Sequence, residues 1–145
     1  MGRPAVFLDS SVVIAALLSV KGGSSYILRE VHERFSFQIN EHALAEIQEA
    51  LGSKFKDQSH LPTVLFLLLG TAEVQTVLNP PITELAAVSR IISKKDAPIL
   101  VSAMQYCDFL LTLDNEFFKS AIVNVAKEKD LVILKPGDFI RLFDL

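Results

Sequence analysis

A chain of 145 residues and 16.0 kDa is long enough to bury one full core, and it reads as a single domain over residues 1–145. Half of the residues are hydrophobic and mean hydropathy is +0.38, which argues against disorder, while 14 basic against 17 acidic residues leave a net charge of −3 and no basic block for tight, salt-sensitive nucleic-acid binding. No apolar run reaches the roughly 20 residues that cross a bilayer, no basic segment leads into a cleavage site, and the single Cys107 forms no internal disulfide, so the expectation is a cytoplasmic protein without membrane contact.

Ala5–Leu8 (AVFL) reads as a short buried strand and Ser10–Ser19 as a helix that a serine can cap. Gly22-Gly23 breaks that helix, and Ser24 or Ser25 opens another running to about Arg34. Phe35–Ile39 is a second strand, after which Asn40 caps a helix over Glu41–Leu51 that Gly52 stops. Leu61–Leu69 is a strongly apolar helix ended by Gly70, Glu73–Val77 a third strand, and Pro80-Pro81 opens a helix through Ile92. Asp96 to about Tyr106 is helical and leads to strand Phe109–Leu113. Asn115–Lys127 is helical, Leu131–Leu134 a last strand, and Pro136–Phe143 a closing helix. Short apolar strands separated by helices indicate a parallel sheet covered on both faces. The fold class is therefore α/β, a three-layer α/β/α arrangement around about five strands.

In an open parallel sheet ligands bind outside the carboxyl ends of the strands, and two acids fall there: Asp9 after AVFL and Asp114 after FLLTL. An unpaired carboxylate costs several kcal/mol or more to bury, so Asp9 either reaches water at the end of its strand or meets something positive. Each of the two also reads as a helix N-cap, as does Asp96 before Ala97-Pro98. Glu46 lies off the core stripe of Leu44, Ile47 and Leu51, with Ala43 and Ala50 at i−3 and i+4, so it points across a small-residue flank that another element can approach. Glu49, turned further toward solvent, reads as an ordinary exposed acid. Four carboxylates converging on one edge repel one another, and raised pKa values or bound divalent cations relieve the repulsion. Hard oxygen ligands suit Mg2+ or Mn2+, which activate water and clamp phosphodiester oxygens.

The runs AVFLDSSVVIAALL, ALAEIQEAL and KDAPILVSAMQYCDFLLTLDNEFF together resemble the PIN domain over nearly the whole chain, most specifically in DAPILVSAMQYCDFLLTLD. That family contains many metal-dependent ribonucleases, among them the VapC-type toxins of prokaryotic toxin–antitoxin pairs. The resemblance implies that Asp9, Glu46, Asp96 and Asp114 hold Mg2+ or Mn2+ and that a metal-activated water attacks an RNA phosphodiester. Ser10 matches a place where small polar residues are common, and Thr112, on the strand face of Asp114, supports the site. Glu116 stands near where many members place a further acid; it serves through water or favours a helix N-terminus. Lys94, Lys95 and Arg90, and Lys21 beside Gly22-Gly23, are candidate phosphate contacts, and solvated helix ends explain them equally well. A homodimer and an antitoxin partner are also implied, with VLFLLL either exposed for a partner or buried across the sheet.

Two other readings compete. A phosphoacceptor domain of receiver type has five parallel strands and a late Lys-Pro like Lys135-Pro136, but it needs paired acids after the first strand, where Ser10-Ser11 follow Asp9. It also needs an aspartate after the third strand, where Leu78-Asn79 stand, and a haloacid-type phosphatase needs an acid at Ser11. The second is a non-catalytic PIN-like module that binds RNA or protein.

Overall fold

The computed structural model describes residues 2–145. In chain order the elements are β1 (Ala5–Leu8), α1 (Ser10–Leu18), α2 (Gly23–Glu30), β2 (Ser36–Asn40), α3 (Glu41–Gly52), α4 (Leu61–Thr71), β3 (Gln75–Val77), α5 (Ile82–Leu85), α6 (Ala97–Tyr106), β4 (Phe109–Leu111), α7 (Ser120–Glu128), β5 (Val132–Leu134) and α8 (Pro136–Phe143). The five strands form one parallel sheet in the order β3-β2-β1-β4-β5, with helices on both faces. This is the three-layer α/β/α fold that the alternating pattern predicts. Central β1 is covered on both faces, so Val6, Phe7 and Leu8 are fully buried, as a continuous apolar run requires in a parallel sheet.

Strand order places the site. The chain builds β1, β2 and β3 outward in one direction, then returns to lay β4 against the other side of β1. Such a reversal opens a crevice at the carboxyl ends of the two strands that flank it. The same order excludes the receiver-type reading, in which the first and third strands are neighbours. The opposite end of the sheet is closed by aromatic packing. Phe35 and Phe109, at the amino ends of β2 and β4, meet Phe139 of α8 at ring-centroid distances of 4.8 and 5.6 Å, and Phe143 at 5.0 and 5.3 Å.

Several elements differ from expectation for identifiable reasons. The helix expected from Pro80-Pro81 through Ile92 survives only as α5 and a 3-10 turn at Ala86–Val88; most of residues 82–91 are exposed, leaving no broad apolar face to stabilise a longer helix. The helix expected to reach Arg34 ends at Glu30, because Val31 leaves helical geometry (φ −123°) and packs on the core. Asn115–Lys127 divides at extended Lys119 into a 3-10 turn (Asn115–Phe118) and α7, which lets the adjacent Phe117 and Phe118 both pack inward. Gly70 does not stop α4, since a helical glycine costs only about 1 kcal/mol; the chain turns instead at Glu73, which takes a left-handed φ of 55°. Strand β4 ends at Leu111, two residues before Leu113. In α4 the VLFLLL run divides its faces: Leu65 and Leu68 are buried, whereas Phe66 and Leu67 are exposed. Among the described residues no single helix is long and apolar enough to cross a membrane.

Candidate active site

At the carboxyl end of β1, Asp9 is the only charged side chain classed as buried among the described residues. Its backbone N–H donates to the Leu111 carbonyl at 3.0 Å, carrying the β1–β4 pairing one step beyond the strand. Its Oδ2 accepts from Ser11 Oγ at 2.7 Å and from Thr112 Oγ1 at 2.8 Å. Those hydroxyls accept in turn from the backbone N–H of Leu113 and of Asp114, each at 3.0 Å. A hydroxyl has one proton to give, so with amides feeding its lone pairs each proton is directed at Asp9. This network resolves how a carboxylate lies in so apolar a run: two hydroxyls, fixed by the β4 exit loop, replace water. Asp9 accordingly makes no side-chain cap bond to α1.

Thr112 thus touches Asp9 as well as the Asp114 backbone, through the turn beyond β4 and not through a shared strand face, because the strand has already ended. Ser11 is a residue the sequence reading passed over, although a hydroxyl two residues after an aspartate is itself a local signal. Asp114, half-buried, is a cap: its Oδ1 accepts from the Glu116 N–H at 3.0 Å. Asp96 makes no cap bond and lies in helical backbone geometry at the start of α6, its Oδ2 accepting from Ser93 Oγ at 3.1 Å.

Glu46 projects from α3 with its side chain only 19 % exposed. Oε1 lies 3.6 Å from His42 Nε2 and 3.5 Å from Ser10 Oγ, and Oε2 lies 4.0 Å from Lys95 Nζ. Burial raises the Glu46 pKa; His42 and Lys95 oppose the rise, and the charges of Asp9 and Asp96 add to it. Burial likewise raises Asp96, against the Ser93 hydrogen bond, with Asp114 and Asp9 adding to the rise. Asp9 therefore acts on both Glu46 and Asp96, Asp96 acts on Glu46, and Asp114 acts on Asp96.

Two contacts set the spacing between the Glu46 helix and the Asp96 segment. Fully buried Asn40 caps α3 by accepting from the Ala43 N–H at 2.9 Å, and its Nδ2 donates to the Pro98 carbonyl at 3.0 Å and to Ser102 Oγ at 2.9 Å. His42 Nε2 lies 2.7 Å from the Lys95 carbonyl, a hydrogen bond that requires the ring proton on that nitrogen. The sequence revealed Asn40 as a cap alone; His42 was missed, and its signal was the i−4 position from Glu46. Asn40→Ala removes a cap and strands buried partners on α6, so it is expected to cost about 2 kcal/mol in urea unfolding.

The remaining predicted residues are scattered. Lys95 is exposed, so its attraction to Glu46 is weak. Lys94 lines a separate apolar cavity of about 390 Å3 with Ile82, Leu85, Ile92 and Ala97. Arg90 and Lys21 are exposed and make no ion pair among the described residues. Glu116 pairs with Lys119 at 2.7 Å on the surface.

Among the described residues no three of the His, Cys, Asp and Glu side chains stand close enough to enclose one ion. The donor set is nonetheless of hard oxygens crowded by like charge. It suits Mg2+, which keeps several waters and takes one or two carboxylates together with phosphate oxygens, better than a closed cage of ligands does.

The family model described as PIN domain matches residues 5–116. Among solved structures, the chain is similar in fold to VapBC2 from Rickettsia felis bound to a DNA fragment from its promoter, with a TM-score of 0.64, 18% identity, and coverage of 90% of this chain and 98% of that one. It is also similar to a protein of Pyrobaculum aerophilum, with a TM-score of 0.66, 20% identity, and coverage of 98% and 91%. No curated protein matches the chain at a significant level.

Proposed function

The chain belongs to the PIN-domain family, and from that membership we propose that it is a metal-dependent ribonuclease whose working acids are Asp9, Glu46, Asp96 and Asp114. The observation that carries the proposal is the gathering of these acids at the reversal point of the sheet. There Thr112 joins Asp9 to the Asp114 backbone, and Glu46 lies 3.5 Å from Ser10 Oγ and 4.0 Å from Lys95 Nζ, the chain neighbours of Asp9 and Asp96. Burial and neighbouring acids hold Glu46 and Asp96 above their ordinary pKa values. Divalent charge relieves that crowding.

Asp9, Glu46, Asp96 and Asp114 would hold the cation, one or two of them directly and the others through water. When bound, Mg2+ or Mn2+ supplies an activated water and offsets the charge of the phosphodiester. Ser11 and Thr112 orient Asp9, leaving its Oδ1 without a protein donor among the described residues. Asn40 and His42 hold the Glu46 helix against the segment that carries Asp96. Ser10, beside Glu46, and Glu116, just past Asp114, are supporting groups. Lys95, on the Glu46 side, is the basic residue best placed to meet a substrate phosphate.

The expected result is cleavage of a labelled single-stranded RNA in Mn2+ and full protection in EDTA. RNA left intact in both Mn2+ and Mg2+ overturns the proposal. The homodimer rests on the family resemblance alone, whereas the likeness to VapBC2, together with the VapC-like motifs, supports a toxin of a toxin–antitoxin pair held by an antitoxin. Exposed Phe66 and Leu67 offer apolar area for that partner.

A further inference from the structure

Beside the acids lies a polar cleft of about 470 Å3 whose walls include Ser10, His42, Glu46, Ser53, Lys54 and Lys95. It follows α3 from Glu46 to the turn just beyond the helix. From Glu46 to Gly52, the last residue of α3, the helix rises roughly 9 Å at 1.5 Å per residue, and Lys54 sits in the turn that follows. Lys95 stands at the Glu46 end, its Nζ 4.0 Å from Oε2. Lys54 stands at the far end and pairs with no carboxylate among the described residues.

We infer that this cleft is a subsite for the backbone of single-stranded RNA, with Lys54 binding a phosphate remote from the scissile one. The inference rests on the ribonuclease reading for the identity of the strand. Stacked nucleotides advance about 3.4 Å each along a strand, so the helical wall between Glu46 and the turn that carries Lys54 spans about two or three of them. An ammonium at each end lets one strand meet two cations. Glu49, on the wall between, repels phosphate and accepts hydrogen bonds, which suits a ribose 2′-hydroxyl at that position. The cleft therefore carries a length and a polarity that the acids alone lack.

The test is fluorescence anisotropy of a labelled oligouridylate in Mn2+, over a salt series, with Asp9→Asn as the non-cleaving background. Lys54→Ala in that background is expected to weaken binding roughly five- to tenfold and to reduce the slope of log affinity against log salt by about 0.7, the share of one single-strand phosphate. Lys54→Arg is expected to restore both. An unchanged slope and affinity overturn the inference, as does an oligoglutamate peptide that displaces the RNA at equal charge, which assigns the cleft to an acidic polypeptide. Turnover by the wild-type protein is measured separately. Cleavage with a Lys54-independent slope removes this subsite and leaves the nuclease standing. A Lys54-dependent slope without cleavage removes the nuclease and leaves the subsite.

Discussion

Asp9→Asn is expected to lower Mn2+-dependent RNA cleavage by about 10³-fold while leaving the fold intact. A thousandfold loss corresponds to about 4 kcal/mol of transition-state stabilisation, in the range measured when one preorganised electrostatic group is removed from an active site. Asparagine is close to isosteric with aspartate and keeps an oxygen that accepts from Ser11 and Thr112, so the belt between β1 and β4 survives. What disappears is the charge, and with it part of the repulsion felt by Glu46 and Asp96. Stability is therefore expected to hold or rise as activity falls. Asp9→Ala is the less informative variant, because buried Thr112 and half-buried Ser11 lose their acceptor at a cost of about 1–3 kcal/mol. Parallel measurement of cleavage rate and urea midpoint separates the cases. Undiminished turnover by a folded Asp9→Asn protein removes the assigned site, and bound but uncleaved RNA in the wild type favours the non-catalytic module.

How much of this was legible in the sequence follows from how local each signal is. AVFL and FLL are strands in the structure because a doubly covered parallel strand has no polar face to disguise it. Asn40 was legible as a cap because capping is settled within three residues. Asp9 and Asp114 present the same local pattern, an acid between a strand and a helical segment, yet only Asp114 caps. The difference lies in Thr112, which is 103 residues from Asp9 and joins Ser11 in supplying the donors that a helix amide otherwise provides. Likewise Asn40 meets Pro98 and Ser102, and His42 meets Lys95, across more than fifty residues; these contacts have no local signature, and the i−4 spacing of His42 from Glu46 points only to Glu46. The helix expected through Ile92 is cut short for the converse reason: its start signal, Pro80-Pro81, is local, but most of residues 82–91 are exposed and have little to pack on.

In metal-free buffer the protein is expected to lose stability as pH rises from the ordinary carboxylate range through the raised pKa values of Glu46 and Asp96, and Mn2+ is expected to restore it. A raised folded-state pKa means that the native protein binds the proton more tightly than the unfolded chain does. Between the two values the folded state holds more protons, so stability falls with rising pH across that window and then levels off. This is opposite in sign to the usual paired carboxylate. Cation binding acts on the same charges: at a hundredfold excess over its Kd, Mn2+ adds about 2.7 kcal/mol, roughly 6–10 °C in Tm for a domain of this size. Protons compete for those oxygens, so the Mn2+ shift is expected to grow with pH over the same window. Glu46→Gln removes one of the two raised groups and one of the proposed ligands at once. Its stability relative to wild type is expected to be greatest near neutral pH without metal, and its Mn2+ shift to be smaller at every pH. Thermal melts of both proteins over a pH series, with and without Mn2+, decide the matter. Parallel stability curves for wild type and variant, with no Mn2+ shift in either, show that Glu46 is outside the charge cluster on which cation binding depends.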